Sequence, residues 1–398
     1  MSDIEQLRRE AEARRESVIA TRRDLHEHPE SAFEEVRTAG IVAQRLTELG
    51  FEVQTGVGKT GVVGVMDGAR AGHTLLLRFD MDALPIQEMV DVPFRSRNDG
   101  LMHACGHDAH TAVGLGVAEM LAARRSEWGG TAKFVFQPAE EIVAGARAMI
   151  RDGALENPRP DRALSLHIFS TLPIGVVAMT DGPTMAGSGA FTVSVRGRGA
   201  HGAMPHEGVD PIVGAAHIIA ALQSIVSRNV NPMEQAVITV GYVRGGTAHN
   251  IIPDVVEFGG TTRAFSEAVG RLLNNRIQEI VGHTARALGL EATVAFSDAS
   301  TPPLVNDPAM AEIVRRHARR LVGDSRVVSD FRLMGAEDAA LFLQAVPGAF
   351  VFVGAGNPDK GITEPHHSPR FQIDEDALPL AMALLTGSAI DMLNRAGF

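Results

Sequence analysis

Residues 102–110 concentrate side chains that bind metal ions. This segment, MHACGHDAH, holds three histidines, one aspartate and the only cysteine of the chain within nine positions. Cys105 and His107 place a thiolate and an imidazole two residues apart, and both groups bind zinc-like metals. Gly106 between them lets the backbone bend so that both can face one ion. An isolated cysteine is more often a buried apolar residue, but the density of ligand types here favours a metal site.

A second group of ligand-type residues follows an apolar run in FQPAEE, residues 136–141. Adjacent carboxylates repel each other, so Glu140 and Glu141 at a strand end indicate a positive group that holds them together. The carboxyl ends of strands are also where open α/β sheets place their sites. One glutamate could bind a metal while its neighbour accepts a proton from water. Acidic residues are equally favoured at a helix N-terminus by the helix dipole, so this pair alone leaves both interpretations open.

Weaker candidates follow other strands or lie between prolines. Asp80 and Asp82 come after the apolar run TLLLRF, although acidic residues also form ordinary turns there. His167 ends the run ALSLHI, where a lone histidine is more often part of the core than a ligand. His366 and His367 lie in the stiff segment EPHHSP, which suits either a ligand or a surface turn.

Two polar loops and one arginine are candidates for substrate binding. The loops GAHGAMPH (199–206) and GGTAHN (245–250) are flanked by glycine and follow predicted strands, and such loops often bind substrate. Arg263, in the strand-like run TTRAF, could clamp a carboxylate because guanidinium binds carboxylates bidentately. A surface ion pair is the equal alternative for this arginine. The patterns CxxC, HExxH and GxSxG do not occur in the sequence, so a serine nucleophile lacks its usual signal.

Composition narrows the class of protein. The 398 residues suggest two or three domains, and 45% hydrophobic with 21% charged residues is typical of a globular chain. A net charge of −11 argues against a nucleic-acid binder, because phosphate neutralisation needs a basic face. A single cysteine prevents an intrachain disulfide and indicates a reducing compartment. Without an uninterrupted apolar run of about 18 residues, and with a charged N-terminus, we expect a soluble cytoplasmic protein.

Periodicity predicts an α/β domain that a smaller domain interrupts. Apolar runs predict buried strands in a mixed or parallel sheet covered by helices. From Gly187 the predicted order β-α-β-β-α-β, over about 110 residues, is that of a ferredoxin-like sandwich. After the linker SDASTPP the chain returns to helix, strand and a final helix from about residue 375. The predicted domains are therefore a discontinuous α/β domain, 1–186 and 299–398, and an α+β insert, 187–298.

Assembled in order, these motifs resemble those of the aminoacylase and carboxypeptidase-G type of co-catalytic metallohydrolases. The similarity is strongest to the branch of hippurate hydrolases, indole-acetyl-amino-acid hydrolases and N-acyl-amino-acid amidohydrolases. It extends along nearly the whole chain, and the order and spacing of nine motifs make coincidence implausible. These motifs are RRDLHEHPE (22–30), DMDALPI (80–86), MHACGHDAHTA (102–112), FQPAEE (136–141), LHI (166–168), HGAMPHEGVDPI (201–212), GGTAHNIIPD (245–254), GAEDAA (335–340) and HHSPRF (366–371).

The resemblance implies a metal-bearing catalytic domain and an inserted lid that commonly forms a homodimer. It implies two divalent metal ions per subunit, with Mn²⁺ or Zn²⁺ ahead of Co²⁺ or Ni²⁺. One ion would take Cys105, Glu141 and His367. The other would take Cys105, His107 and His167.

The resemblance also implies roles for five further residues. Glu140 matches the general base, and Asp82 matches the carboxylate that orients a metal ligand. His201 resembles the lid histidine that reaches a neighbouring subunit's site and polarises the scissile carbonyl. Asn250 and Arg263 match positions associated with substrate binding.

The implied activity is hydrolysis of the amide bond of N-acyl-L-amino acids, hippurate-like or acetylated, to a carboxylic acid and a free amino acid. A dipeptidase or aminopeptidase of the same fold is the alternative enzyme. A catalytically inactive binding protein is the alternative from another class. Phe79 stands where a small residue is more usual, and Ala339 where an aromatic residue often follows GAED. We expect both departures to alter the substrate pocket rather than the metals. We expect no nucleic-acid or membrane partner.

Overall fold

The chain forms two structural units and enters the second of them twice. The computed structural model describes residues 4–394. Its two units are unit 1, which takes the residues up to Gly182, Val305–Arg332 and those from Asp338 onwards, and unit 2, which takes Pro183–Leu304 and Leu333–Glu337.

The described residues form sixteen β-strands. In chain order these are β1 (Glu52–Val57), β2 (Gly61–Asp67), β3 (Arg70–Asp80), β4 (Gly129–Gln137), β5 (Arg162–Pro173), β6 (Val177–Ala178), β7 (Gly182–Met185), β8 (Gly187–Arg196), β9 (Ala200–His201), β10 (Ala236–Gly245), β11 (Ile251–Ile252), β12 (Val255–Ala264), β13 (Glu291–Phe296), β14 (Leu304–Asn306), β15 (Val327–Val328) and β16 (Gly348–Gly356).

The same residues form ten α-helices. These are α1 (Ile4–Ala13), α2 (Arg15–Glu27), α3 (Val36–Glu48), α4 (His107–Ala123), α5 (Gly145–Arg151), α6 (Pro211–Arg228), α7 (Glu267–Ala287), α8 (Pro308–Val322), α9 (Ala340–Ala345) and α10 (Ala377–Asn394). Single 3-10 turns occur at Pro205–Glu207, Asp324–Arg326 and Pro358–Lys360.

Unit 1 is built on one mixed sheet of eight strands, in the order β1-β2-β4-β3-β5-β16-β6-β15. The four central strands β4, β3, β5 and β16 run parallel, whereas β1 and β2 add antiparallel strands at one side. Every residue of β16 and nearly every residue of β4 is buried. Strands buried on both faces need helices over both, which is why they carry continuous apolar runs rather than alternation.

Helices α4 and α10 are apolar around most of their circumference because they lie in the interior of unit 1. Both pack against β3 and β4 and against each other. By length and composition alone, α6 and α10 could each cross a membrane, although neither has an uninterrupted apolar run of that length. In α10, 89% of the apolar window is buried, compared with 33% in α6. Core burial therefore explains the composition of α10.

Unit 2 is a ferredoxin-like sandwich, as predicted. Its antiparallel sheet has the order β10-β12-β8-β13, with α6 and α7 packed on the sheet and on each other. Phe191, Phe258 and Leu222 belong to its own apolar core. Both helices begin at side-chain caps: Asp210 accepts from Ile212 N at 2.8 Å, and a serine accepts from the third residue of α7.

Several predicted boundaries differ from the structure. The predicted insert, 187–298, lies inside unit 2, which also includes the short return segment Leu333–Glu337. This segment joins unit 2 through backbone bonds, Leu333 N to Thr184 O and Ala186 N to Leu333 O, each 3.0 Å. The sequence predicts one long charged helix before a break at His28-Pro29, and the structure divides it at Arg14 into α1 and α2. The sequence pattern predicts a helix over about 141–152, but α5 begins only at Gly145, because the residues before it form a tight turn.

Candidate metal centre

The carboxyl ends of three parallel strands meet at one edge of the unit 1 sheet. Asp80, the last residue of β3, is paired with Gln137, the last residue of β4. On the other side of β3, Ser165 of β5 is paired with Arg78, so His167 lies level with the end of β3. Polar residues that follow separate strands are thus brought to one place, as in other α/β sheets.

The segment before α4 brings Cys105 and His107 to the same edge. Gly106 has a φ of 88°, the left-handed conformation that glycine adopts without steric cost. It turns the chain between the thiol and the first residue of α4. Cys105 is 8% exposed and His107 is fully buried.

Five side chains form two groups that share the Cys105 sulfur. In each group the ligand atoms lie within 4.8 Å of one another. The Cys105 Sγ lies 3.6 Å from His167 Nε2. His367 Nε2 lies 3.4 Å from Glu141 Oε2, and the other oxygen of Glu141 lies 3.8 Å from His107 Nε2. The groups are Cys105, His107 and His167, and Cys105, Glu141 and His367.

Asp82 bonds one residue of each group, the side chain of His107 and the backbone of Glu141. His107 Nδ1 donates to the Asp82 carbonyl at 3.0 Å and lies 3.2 Å from its Oδ1. The other carboxylate oxygen accepts from the backbone N–H of Glu141 at 3.0 Å. The bond at Nδ1 directs Nε2 of His107 towards the shared sulfur, which is how carboxylates orient metal-binding histidines.

Backbone contacts orient the two remaining histidines. His167 Nδ1 donates to the Ile168 carbonyl at 2.8 Å, which leaves Nε2 facing Cys105. His367 has a φ of 65° and its N–H donates to Ala104 O at 2.9 Å. The adjacent His366 points elsewhere: its Nε2 accepts from a backbone N–H, and burial lowers its pKa to about 3. Only the second histidine of the pair therefore enters a group.

Burial and neighbouring carboxylates make the cluster unfavourable for the thiolate. Burial raises the pKa of the Cys105 thiol well above its usual value, and the Glu141 carboxylate raises it further. Burial likewise raises the pKa of Glu141 to about 7, with the Asp82 charge adding to it and His107 opposing it. For His107, burial lowers the pKa, but Asp80 and Cys105 outweigh it and the pKa is raised well above the usual value. A divalent cation would reverse this balance, because it stabilises the thiolate, the carboxylate and the neutral imidazole together.

The donor set fits such a cation. His107 Nε2 and Glu141 Oε1 are buried and form no hydrogen bond. A buried polar atom without a partner costs free energy unless something binds it. Thiolate, imidazole and carboxylate are the ligands that Zn²⁺ takes, and the latter two also suit Mn²⁺.

Glu140 lies beside this cluster without belonging to either group. It is 7% exposed, and its Oε2 lies 4.0 Å from His107 Nε2. The turn that carries it is strained, since Ala139 has a φ of 53° and Val143 a φ of 57°. A buried carboxylate at this distance from the ligands can accept a proton from water held there.

The sequence did not predict a series of hydrogen bonds between Asp80, His110 and the backbone next to the candidate ligands. Asp80 Oδ2 accepts from Arg78 at 2.8 Å, and its Oδ1 lies 2.5 Å from His110 Nδ1. His110 Nε2 accepts from the Ile168 N–H at 2.8 Å. The pKa of Asp80 is lowered, because His107, Arg78 and His110 outweigh burial. The spacing of His107 and His110, one turn apart on α4, was the available signal for this series.

The candidate residues of the insert lie in unit 2. His201, in β9, is exposed and its Nδ1 accepts from Ala203 N at 3.0 Å. Asn250 is also exposed, and its carbonyl accepts from Gly202 N at 2.8 Å. These two residues are therefore neighbours. Arg263 is partly buried in β12, where burial lowers its pKa.

The two departures from the family pattern are interior residues. Phe79 is 1% exposed and stacks on Phe134 and Phe136, with ring centroids 6.0 and 5.5 Å away. A Cβ at Gly114 of α4 would lie 2.7 Å from the Phe79 ring, so this ring packs under the helix. Ala339 is fully buried. Phe79 thus affects core packing beneath α4 instead of lining the ligand cluster.

Comparison with known proteins agrees with this geometry. The sequence model of peptidase family M20/M25/M40 matches residues 76–390. The chain is 40% identical over 370 residues to the IAA-amino acid hydrolase ILR1-like 4 of Arabidopsis thaliana, covering 92% of this chain and 83% of that protein. It is 39% identical over 378 residues to the N-acetyl-L-cysteine deacetylase of Bacillus subtilis, covering 95% and 88%.

A solved structure shares both fold and sequence. The YXEP protein of Bacillus subtilis, described as a dinuclear metal-binding peptidase of the M20 family, superposes with a TM-score of 0.84 at 35% identity. The alignment covers 96% of this chain and 99% of that one. The similarity in sequence and fold to these proteins agrees with the two ligand groups around the Cys105 sulfur. The chain belongs to peptidase family M20/M25/M40, as a metal-dependent hydrolase of amide bonds.

Proposed function

We propose that this protein hydrolyses N-acyl-L-amino acids, hippurate-like or acetylated, to a carboxylic acid and a free amino acid. The observation that carries the proposal is the convergence of two ligand groups on Cys105 with a buried carboxylate, Glu140, beside them. The names of the two relatives, a hydrolase of IAA-amino acid conjugates and a deacetylase of N-acetyl-L-cysteine, support this substrate class.

Cys105, Glu141 and His367 would hold one ion, and Cys105, His107 and His167 the other. Bound there, divalent ions supply Lewis acidity that lowers the pKa of water from about 15.7 towards roughly 7 and polarises a carbonyl. Mn²⁺ and Zn²⁺ are the leading candidates, since a thiolate favours softer ions and carboxylate tolerates Mn²⁺. Asp82 keeps His107 and Glu141 in place through the bonds described above.

Glu140 is the proton carrier of the proposed reaction. Its carboxylate takes a proton as water attacks the amide carbon, and returns that proton to the nitrogen as the C–N bond breaks. Water and amide thereby become carboxylic acid and amine. Because Glu140 is buried, the transfer proceeds away from bulk solvent.

The insert would supply His201, Asn250 and Arg263. Because Nδ1 of His201 accepts a backbone N–H, its neutral ring carries the proton on Nε2. An exposed N–H of this kind can donate to the carbonyl oxygen of the substrate, in the site of the neighbouring subunit. Asn250 and Arg263 would bind the substrate, the latter through its carboxylate.

We further propose a homodimer formed through unit 2. Strand β10 lies at the edge of its sheet, and Ile212 and Val213 of α6 are exposed by 46% and 49%. Sedimentation of the purified protein tests this.

We also propose a cytoplasmic location, because the free thiol of the proposed metal centre suits a reducing compartment. We propose a small-molecule substrate as the partner, and no nucleic-acid or membrane partner.

The substrate proposal is tested with chelator-stripped protein to which Mn²⁺ or Zn²⁺ is returned. The panel contains N-acetyl, N-benzoyl and indole-acetyl amino acids beside free dipeptides, and the readout is released amine. We expect metal-dependent release from acylated substrates only. Release from dipeptides alone would assign a peptidase instead, and no release from a metal-loaded protein would favour a binding protein.

Two variants test the assigned roles. Glu140→Gln should keep its metal and lose activity by about two to four orders of magnitude. His201→Ala should lose a similar factor. Mixed dimers of Glu140→Gln and His201→Ala subunits should regain activity if the histidine acts across the dimer, and stay inactive if it acts within its own subunit.

A further inference from the structure

The turn between β4 and α5 decides where Glu140 lies. This turn, residues 138–145, contains two left-handed residues, Ala139 and Val143. Such a conformation costs an L-residue free energy and persists only where surrounding contacts enforce it. The contacts that enforce it therefore also set the position of Glu140.

Within the turn, hydrogen bonds converge on one residue. The Ala139 carbonyl accepts from Gly145 N at 3.0 Å and from Ala144 N at 3.2 Å, and Val143 N donates to Glu140 O at 2.7 Å. At Gly145 an added Cβ would lie 1.5 Å from the preceding Pro138 carbonyl, so the turn has no room to relax there. The carbonyls of Ala139 and Glu140 therefore close the turn.

Two carboxylates outside the turn accept hydrogen bonds from the backbone N–H groups of the residues before and after Glu140. The N–H of Ala139 donates to Glu35 Oε1 at 2.9 Å. The N–H of Glu141 donates to Asp82 Oδ2 at 3.0 Å. Asp82 also bonds the proposed ligand His107. Within residues 4–394, the side-chain bonds of Glu35 go instead to two backbone N–H groups and the Thr60 hydroxyl.

Glu35 is itself held rigidly. It is fully buried at the start of α3. Its Oε1 also accepts from Phe33 N at 3.0 Å, and its Oε2 lies 2.5 Å from the Thr60 hydroxyl. A buried side chain with both oxygens bonded has one available position, and it transmits that position to Ala139.

We propose that Glu35 is a positioning residue for the general base, acting through the Ala139 N–H and not through the metals. The inference rests on the proposed role of Glu140. The proposal gives the two carboxylates different roles. Asp82 positions both the proposed metal ligands and the base, whereas Glu35 positions the base alone. Loss of Glu35 should thus slow the chemical step with metal content and substrate affinity retained.

Three substitutions and a control test this in the metal-loaded full-length protein. Glu35→Ala removes the acceptor. Glu35→Gln keeps an acceptor oxygen for Ala139 and can donate to the Thr60 hydroxyl, and burial already raises the pKa of this carboxyl, so a neutral group is tolerated. Thr60→Val frees only the second oxygen. The control Glu30→Ala removes another carboxylate near the start of α3, which accepts from Arg37 N and Thr38 N at 2.8 Å.

With an N-acyl amino acid as substrate, Glu35→Ala should retain two ions per chain and a KM within about twofold, while kcat falls on the order of 10- to 100-fold, the scale of a misplaced catalytic group. Glu35→Gln should recover most of this loss, and Glu30→Ala should leave kcat unchanged. Thr60→Val should lower kcat severalfold, and it serves as the test if Glu35→Ala does not fold.

Other outcomes overturn the proposal. An unchanged kcat in Glu35→Ala or Thr60→Val would show that the base needs no such anchor. Loss of metal in Glu35→Ala would place Glu35 among the supports of the metal centre. A folded Glu35→Gln as slow as Glu35→Ala would exclude the acceptor role. If Glu140→Gln itself keeps near-normal turnover, the base assignment fails, whatever the Glu35 variants do.

Discussion

Two clusters of titratable groups, in which most side chains are buried, meet at neighbouring residues on α4 and differ in how their charge is balanced. One, which we call the ligand cluster, consists of Cys105, His107, Glu141, His167 and His367. The other, which we call the anchor cluster, consists of Arg22, His26, Glu88 and Asp108. His107 and Asp108 are consecutive, so one helical turn joins the two clusters.

The anchor cluster supplies its own countercharges. Arg22 Nε and His26 Nδ1 each lie 2.7 Å from Asp108 Oδ2, and His26 Nε2 lies 3.2 Å from Glu88 Oε1. The pKa of Asp108 is lowered, because Arg22 and His26 outweigh burial. The pKa of His26 is raised, because Asp108 and Glu88 outweigh burial and the Arg22 charge. Two cations face two carboxylates.

The ligand cluster has no permanent cation. Among the described residues, none of its five members forms an ion pair with lysine or arginine, and its pairs join histidines to carboxylates. The anchor cluster thus contains a fixed positive charge at Arg22, whereas the positive charge of the ligand cluster would come from the proposed metal ions. The two clusters should respond in opposite ways to mutation.

The largest effect should follow from Cys105→Ala, which removes the atom common to both groups. Activity should fall by at least about 10⁴-fold, because both the acidification of water and the polarisation of the substrate carbonyl depend on the ions. The metal-free protein should lose only about 1 kcal/mol of unfolding free energy, because the change removes one small buried atom. Metal analysis, turnover and denaturant titration of the metal-free protein measure this. A metal-free variant that no longer folds would contradict the contrast.

His26→Leu should do the reverse. Removing one partner of a buried ion-pair network leaves Asp108 and Glu88 short of a countercharge and costs about 3–5 kcal/mol. Denaturant unfolding of metal-free protein gives the value, and the folded fraction should still bind two ions. A change below about 1 kcal/mol would mean that the anchor cluster is not a stabilising network.

The gain in unfolding free energy on adding metal should be the next largest difference between variants of the two clusters. An ion that binds only the folded state adds about 2.7 kcal/mol at a free concentration 100 times its Kd. We expect this gain in the wild type and in His26→Leu, and its loss in Cys105→Ala. Equal gains in all three proteins would place the binding site elsewhere.

The smallest effect is a pH dependence from the anchor cluster. His26 has a raised pKa in the folded state, so its contribution is complete below its ordinary value of 6.5 and is lost as pH rises through the folded value. The slope is at most about 1.4 kcal/mol per pH unit for one proton. In the metal-free protein, the unfolding free energy measured from pH 6 upward should fall more steeply in the wild type than in His26→Gln. The difference between the two slopes gives the contribution of His26, because the shifted pKa values of His107 and Glu141 are common to both proteins.

Much of the fold follows from local patterns, and the remainder depends on distant pairing. Buried apolar runs predicted β3, β4, β5 and β16, but their order in the sheet does not follow from the runs, because β16 pairs with a strand almost 200 positions earlier. Strand β1 was not predicted, since most of its residues are exposed and show no alternation. The division between α1 and α2 at Arg14 has no glycine or proline to mark it.

The candidate site, like the fold, could be predicted from the sequence only in part. The density of ligand types indicated Cys105 and His107 from the sequence alone. His167 and His367 resembled core or surface histidines, and only the folded chain brings them to the shared sulfur. Glu35 gave no signal, because its role depends on a backbone N–H more than 100 residues away. The roles of all these residues remain predictions for the experiments above.

The discontinuity of unit 1 imposes an order of assembly during synthesis. Cys105, His107 and His167 emerge from the ribosome before unit 2 begins, whereas His367 follows it. At about 5–20 residues per second, the intervening stretch of roughly 200 residues takes about 10–40 s to translate. Strand β16, which pairs with the strand that carries His167, also follows unit 2. The ligand cluster can therefore be completed only after unit 2 has been synthesised, late in translation.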